Sequence, residues 1–363
     1  MVQEKSLESQ RCKYRRWIAG TLTLSIIAFV LFASITIYID PLFHFHAPLD
    51  KYAYLLNIER YQNDGILRNF EYDSVIIGTS MTENFMTSEA DRLFQASFIK
   101  VPFSGAPYKE IDQGLRRAYE AGKDIRYVIR CLDYSLLVYD KDYWRDDVIC
   151  PFYLYNDNLF DDVNYVLNKD ILFHQTCGVI EYTKGGYSTT SFDEYANWND
   201  SATFGAEAVL STYALGESAA FPQVLSEEEG TMVIENVRQN VLELALKHPE
   251  TEFFLFFPPY SICYWDTLKA NGQVDWRIDA EKMAIEELLK ASNIKLYSFC
   301  DNFELVCNLN NYKDQAHFGE WVNSWILEWI KNDEGRLTKD NYQEYLSEIR
   351  YFYNNYDYCS LRE

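Results

Sequence analysis

A parallel α/β sheet covered by helices on both faces, preceded by one transmembrane helix, is the architecture this 363-residue sequence predicts. Two observations carry it. From Trp17 to Ile39 there is no charged residue, a run long enough to cross a bilayer. Beyond residue 73, short apolar runs alternate with amphipathic segments, strand then helix, five times over. With 48% hydrophobic and 24% charged residues the chain has the composition of a folded protein.

The apolar run comes first. At about 1.5 Å per residue, Ile18–Ile39 spans roughly 33 Å, the thickness of a bilayer core. A cleaved signal peptide has an apolar stretch of only about 7–15 residues. A buried core helix of this length would be amphipathic. Arg11, Lys13, Arg15 and Arg16 stand just before the run, and basic flanks stay cytoplasmic. The sequence therefore divides into a cytoplasmic tail (1–16), a bilayer anchor (17–39), a juxtamembrane segment (40–72) and an extracytoplasmic α/β domain (73–335). An acidic, aromatic insertion occupies 134–225, and a C-terminal packing helix 336–363.

Within the domain, Ser74–Ile77 reads as a strand, followed by a turn at Gly78 and a helix to about Phe94. Phe98–Pro102 is a second strand, and Tyr108–Ala121 a helix with Ile111, Leu115 and Tyr119 on one face. Ile125–Leu132 is the third strand. After the insertion, the helix Glu227–Lys247 leads into the strand Glu252–Phe257, which Pro258-Pro259 stops. The helix Arg277–Ala291, the strand Ile294–Phe299 and the helix Gly319–Lys331 complete a five-stranded pattern. The insertion brings Tyr143, Trp144, Tyr153, Tyr155, Tyr187 and Trp198, and follows a strand end, where such sheets place their ligand crevice. In the tail, Tyr342, Tyr345, Leu346, Ile349, Phe352, Tyr353 and Tyr356 recur at helical spacing, as a docked helix requires.

Charge excludes one class of function. Thirty-three basic against fifty-five acidic residues give a formal −22, and nucleic-acid binding draws its affinity from Lys and Arg replacing counterions. No nucleic-acid partner is expected. Cys131, Cys150, Cys177, Cys263, Cys300, Cys307 and Cys359 follow the anchor, an odd number without CxxC spacing, and read as small buried hydrophobes with at most a bridge or two. His44-Phe-His46 lacks acidic or cysteine neighbours that would complete a metal site. Asp146-Asp147 and Asp161-Asp162 read as solvated faces, and Lys184-Gly-Gly-Tyr187 as a turn. Neither metal nor cofactor is expected.

Two segments carry chemistry. In Asp73-Ser-Val-Ile-Ile-Gly-Thr-Ser80-Met-Thr-Glu-Asn-Phe85, an apolar strand ends in glycine and a serine opens the next helix. Glycine permits the sharp turn, Ser80 stands at the sheet's C-terminal edge, and the amides there can hold an oxyanion. Ser80 as a plain N-cap is the structural alternative. In Tyr312-Lys-Asp314-Gln-Ala-His317-Phe-Gly-Glu, a carboxylate three residues before an imidazole can hold one ring nitrogen and turn the other outward as a base. This pair follows the final strand, on the edge where Ser80 stands.

Taken together, Ser80 in Gly78-Thr79-Ser80 and Asp314-x-x-His317 resemble the SGNH (GDSL-like) hydrolase superfamily, over roughly residues 70–335 without the insertion. More narrowly, the chain looks like its membrane-anchored extracytoplasmic branch, which includes proteins of polysaccharide O-acetylation and of teichoic acid D-alanylation. The resemblance implies a flavodoxin-like five-stranded sheet, Ser80 as nucleophile, His317 as general base and Asp314 as its orienting partner. It implies oxyanion donors at the amides of Ser80 and of Gly105, in Phe103-Ser-Gly105-Ala. The sequence departs from the pattern twice. Gly-Asp-Ser reads Gly78-Thr79-Ser80, and the asparagine after the third strand is replaced within Cys131-Leu-Asp133. A carboxylate cannot donate to an oxyanion, so either Asp133 has another task or another donor, with Asn84 as the candidate, replaces the asparagine. Asp133, Tyr134, Tyr143 and Trp144 are then expected on the substrate side, with the aromatic insertion as a sugar platform. The function implied is a serine esterase or O-acyltransferase for acyl esters of cell-envelope carbohydrate. A non-catalytic, glycan-binding or accessory subunit of a membrane acyltransferase complex is the alternative.

Overall fold

The computed structural model describes residues 2–213 and 221–362. They form two compact units, Met1–Leu55 with Pro151–Thr190, and Leu56–Cys150 with Ser191–Glu363. The expected insertion 134–225 is thus shared out: its middle belongs to the first unit and its two flanks to the second.

In the first unit, one helix runs from Val2 to Ile39. Its stretch Gln10–Ile39, in which an 18-residue window has mean hydropathy 2.4, is long and apolar enough to span a membrane. Most of its large side chains, from Trp17 to Tyr38, are exposed. The helix ends in a knot around Asp40. This buried carboxylate accepts the amides of His44, Phe45 and His46 at 3.0, 2.7 and 2.9 Å, and the Tyr165 hydroxyl at 2.6 Å. Such a concentration of donors is how a chain satisfies a buried charge. His44 pairs with Asp162 at 3.0 Å, and the His46 ring meets the carbonyls of Ala47 and Ile37.

In the second unit a six-stranded sheet has the order β2-β1-β3-β4-β5-β6. The strands are β1 Ser74–Gly78, β2 Phe98–Pro102, β3 Tyr127–Cys131, β4 Glu252–Phe257, β5 Ile294–Ser298 and β6 Arg336–Leu337. The first five are parallel; β6 pairs antiparallel with β5. The five strands expected from sequence are there, and the sixth corrects the count. With only two residues, it offers no apolar run to read. Among the helices not foreseen are Glu59–Asn69, in the juxtamembrane segment, and Ile262–Ala270, which follows the double proline. The former was hidden by its mixed buried face, where Gln62, Asn63 and Asp64 stand beside Ile66 and Leu67.

Strands β1 and β2 are buried along their whole length, as a sheet with helices on both faces requires. The tail helix Tyr342–Asn355 docks on the helix Val274–Leu288. There Tyr345 donates to Glu281 at 2.7 Å, Arg350 bridges Asp275 and Asp279, and the Tyr353 ring stacks on Trp265 at 3.6 Å. None of the eight cysteines forms a disulfide; Cys131, Cys263 and Cys300 are buried as small hydrophobes.

Candidate active site

Strand β1 delivers Ser80 to the C-terminal edge of the sheet. Gly78 is required by close approach: a Cβ there would stand 2.7 Å from the Thr82 methyl and 3.0 Å from Cys131 Cβ. Thr79 is extended, and a single helical turn, Ser80–Thr82, begins directly after it. The turn is closed by the Thr82 amide and hydroxyl, both donating to the Thr79 carbonyl, at 2.9 and 2.8 Å.

The imidazole comes from the loop before the helix Glu320–Lys331. Tyr312 and Phe318 bridge across its base, and the Tyr312 hydroxyl donates to the Pro259 carbonyl at 2.7 Å. Inside the loop, Asp314 Oδ1 accepts the amides of Ala316 and His317, at 2.9 and 2.8 Å. The same carboxylate meets His317 Nδ1 at 2.8 Å through Oδ2. His317 Nε2 lies 2.8 Å from Ser80 Oγ. A carboxylate only accepts, so Nδ1 carries the proton and Nε2 offers its lone pair to the Ser80 hydroxyl. Burial would raise the Asp314 pKa, but the His317 ring and the two amides outweigh it and hold it at about 2. Residues 234 positions apart and more in sequence thus form one hydrogen-bonded line, in which Ser80 Oγ can lose a proton to His317.

The other expected residues are distributed differently. No protein group among the described residues accepts from the amides of Ser80 or Gly105. Gly105 has φ +62°, and its carbonyl is held by Arg145 Nη1 at 3.0 Å. Asn84 is buried; its Oδ1 accepts the Trp198 amide at 3.1 Å, and its Nδ2 has no partner among the described residues. Asp133 corrects the expectation of a substrate-side residue. It lies buried, accepting the hydroxyls of Thr79 and Tyr260, so it fixes the residue next to Ser80. Burial raises its pKa while these hydrogen bonds oppose the rise. Tyr134 is likewise inside, stacked on Phe257 with its hydroxyl 2.7 Å from Cys300 Sγ. Tyr143 stacks on Tyr139, and both Tyr143 and Trp144 are half-buried. Tyr153, Tyr155 and Tyr187 of the expected platform belong to the first unit.

One residue of the insertion does lie against His317. The rings of Trp198 and His317 meet nearly at right angles, centres 5.8 Å apart, and Lys313 Nζ lies 3.5 Å over the Trp198 ring. Phe204 and Trp321 continue this wall. Beside it a cavity of about 580 Å³ is lined by Thr203, Phe204, Glu207, Ser211, Thr212 and Asp314, among others. Sequence reasoning also missed Glu59, Glu83 and Lys100: the two carboxyl groups converge on Ser104, and the ammonium donates to the Glu83 carbonyl. Glu83 was visible only as an acidic residue in a helical turn, an ordinary surface signal. Among the described residues no cluster of three His, Cys, Asp or Glu is arranged to hold a metal.

No family model matches the chain, and no curated protein is similar to it. Among solved structures, one described as "a putative platelet activating factor from Streptococcus pneumonia" aligns at 10% identity, covering 76% of this chain and 90% of that one. With a TM-score of 0.38 this likeness is too distant to bear on the chemistry, which rests on the geometry above.

Proposed function

We propose that this chain is a membrane-anchored, SGNH-type serine esterase or O-acyltransferase, whose extracytoplasmic domain acts on acyl esters of cell-envelope carbohydrate. The observation that supports it is the continuous line from Ser80 Oγ through His317 to Asp314, each contact at 2.8 Å. Ser80 Oγ attacks the acyl carbonyl while its proton passes to His317 Nε2. The tetrahedral oxyanion is met by the amides of Ser80 and Gly105, with Asn84 Nδ2 as a third donor. Collapse expels the carbohydrate alkoxide, which takes the proton from His317, and leaves an acyl-serine. A water or a second sugar hydroxyl, deprotonated by His317, then receives the acyl group and regenerates Ser80. Asp314 keeps the imidazole in the required tautomer throughout.

A carbohydrate substrate is supported by the aromatic wall of Trp198 and Phe204 and by the cavity hydroxyls of Thr203, Ser211 and Thr212. Rings suit the apolar faces of pyranoses, and hydroxyls suit their edges. On the same reading, the basic flank before the apolar helix supports an extracytoplasmic position for the domain.

A fluorophosphonate probe on the full chain in detergent, read by intact mass, tests the proposal. One adduct is expected, absent in Ser80→Ala and slowed by about 10³-fold or more in His317→Ala. A well-folded wild-type chain that takes no adduct would instead favour the non-catalytic accessory role.

A further inference from the structure

Ser104, the residue before the expected oxyanion glycine, is gripped at every polar atom it has. Its amide donates to Glu59 Oε2 at 2.9 Å, and its hydroxyl to Glu83 Oε1. Its carbonyl accepts from Arg60 Nη2 at 2.8 Å, and Arg60 is itself held by Glu110 through Nε at 2.6 Å. The next carbonyl, that of Gly105, is taken by Arg145, whose fork also grips Asp147. Exposed loops seldom receive so many charged partners, and an oxyanion donor is useful only when fixed before the reaction.

The two carboxyl groups converge on the amide and the hydroxyl of one residue, Ser104, which brings them close together. Two ionised carboxylates so placed repel each other, and a proton on one of them relieves that repulsion. Glu83 is nearly fully buried, and burial first, then the Glu59 charge, push its pKa up to about 8. The remaining groups facing it do not supply a counter-charge by contact. Lys100, on β2, spends its ammonium on the backbone carbonyls of Glu83, Phe85 and Asp193. Burial lowers its pKa to about 7, against the pull of Asp193, Glu83, Glu320 and Glu59. Trp198 is neutral, and the Tyr195 hydroxyl donates to Asn63.

We infer that Glu83 is held neutral beside Glu59 and that these two, with Arg60, form a clamp of positioning residues that holds Ser104 and so presents the Gly105 amide to the acyl group on Ser80. Its catalytic consequence rests on the function proposed above; the clamp itself does not. Loss of the Glu83 proton at alkaline pH sets a buried charge beside Glu59 and releases the turn. The device makes oxyanion binding depend on a proton that never enters the reaction.

Hydrogen exchange of the full chain in detergent micelles, followed by mass spectrometry, tests this on the peptide spanning residues 98–110. Rates are taken relative to the chemical exchange rate at each pH. Wild-type protection should fall at least tenfold between pH 7 and 9. In Glu83→Gln, which stays neutral and keeps an acceptor for the Ser104 hydroxyl, protection should not change over that range. Ser104→Ala, which removes only one hydroxyl, should lose protection at every pH. Superimposable wild-type and Glu83→Gln profiles would overturn the inference. Fluorophosphonate labelling rates on the same samples separate the two claims. The alkaline loss should appear in the acylation rate and not in probe affinity, and be absent from Glu83→Gln. A wild-type chain that never labels would defeat the serine-nucleophile reading while the exchange profiles still decide the clamp.

Discussion

At the scale of single residues, the site is a set of carboxylates given different tasks by different surroundings. Asp314 is half-exposed and surrounded by donors, which hold it ionised down to about pH 2. Asp133 is buried beneath Thr79 and holds the residue beside Ser80, an outcome its acidic character disguised in sequence. Glu83 is the opposite of Asp314: burial favours its neutral form. Because its folded pKa lies above the ordinary value of 4.5, its contribution to stability is fully present below pH 4.5. That contribution is lost as pH rises through about 8. Across that window the wild type should lose on the order of 1 kcal/mol per pH unit from this group. Urea unfolding at a series of pH values checks this; Glu83→Gln should remove that slope, and an unchanged slope would contradict the assignment.

Among elements, the turn after β1 is the most demanding. Gly78, Thr79 and Ser80 were legible as a strand-to-helix turn because glycine followed by serine after an apolar run has few other uses. The steric reason was not legible, since it lies in Thr82 and in Cys131 of the neighbouring strand. Gly78→Ala should therefore destabilise the chain by about 1–3 kcal/mol through overpacking. It should also displace Ser80 from His317. Calorimetry and probe labelling together test this; a variant with wild-type melting temperature and wild-type labelling would sink it. The tail shows the reverse case. Its aromatic residues at helical spacing announced a docked helix, and Tyr345, Leu346, Ile349 and Tyr353 are indeed its buried face. Helix Glu59–Asn69 stayed hidden because three of its buried residues, Gln62, Asn63 and Asp64, are polar and break the apolar periodicity.

For the whole molecule, charge and hydropathy act over lengths that no side-chain contact reaches. One helix is long and apolar enough to span a bilayer, and the basic residues lie before it. On the proposed orientation, Cys12 and Cys359, both exposed, report opposite sides of the membrane. A membrane-impermeant maleimide applied to intact cells should label Cys359 and spare Cys12; the reverse would overturn the orientation. The excess of acid beyond the helix favours a neutral polymer as substrate, or an anionic one with cations between.

Taken by itself, the sequence determined whatever depends on local order along the chain. The apolar run, the five parallel strands, the glycine-serine turn and the Asp314–His317 spacing are of this kind, because period and composition respond to neighbours a few residues away. Tertiary structure alone decided which distant residues share a hydrogen bond. It brought Ser80 and His317 to 2.8 Å and turned Asp133 and Tyr134 inward. It also closed Glu59 and Glu83 around Ser104 and assigned the middle of the insertion to the first unit. The physical reason is the same in each case. Burial of a polar group is settled by the partner that satisfies it, and that partner is supplied by the packing of the sheet and its loops.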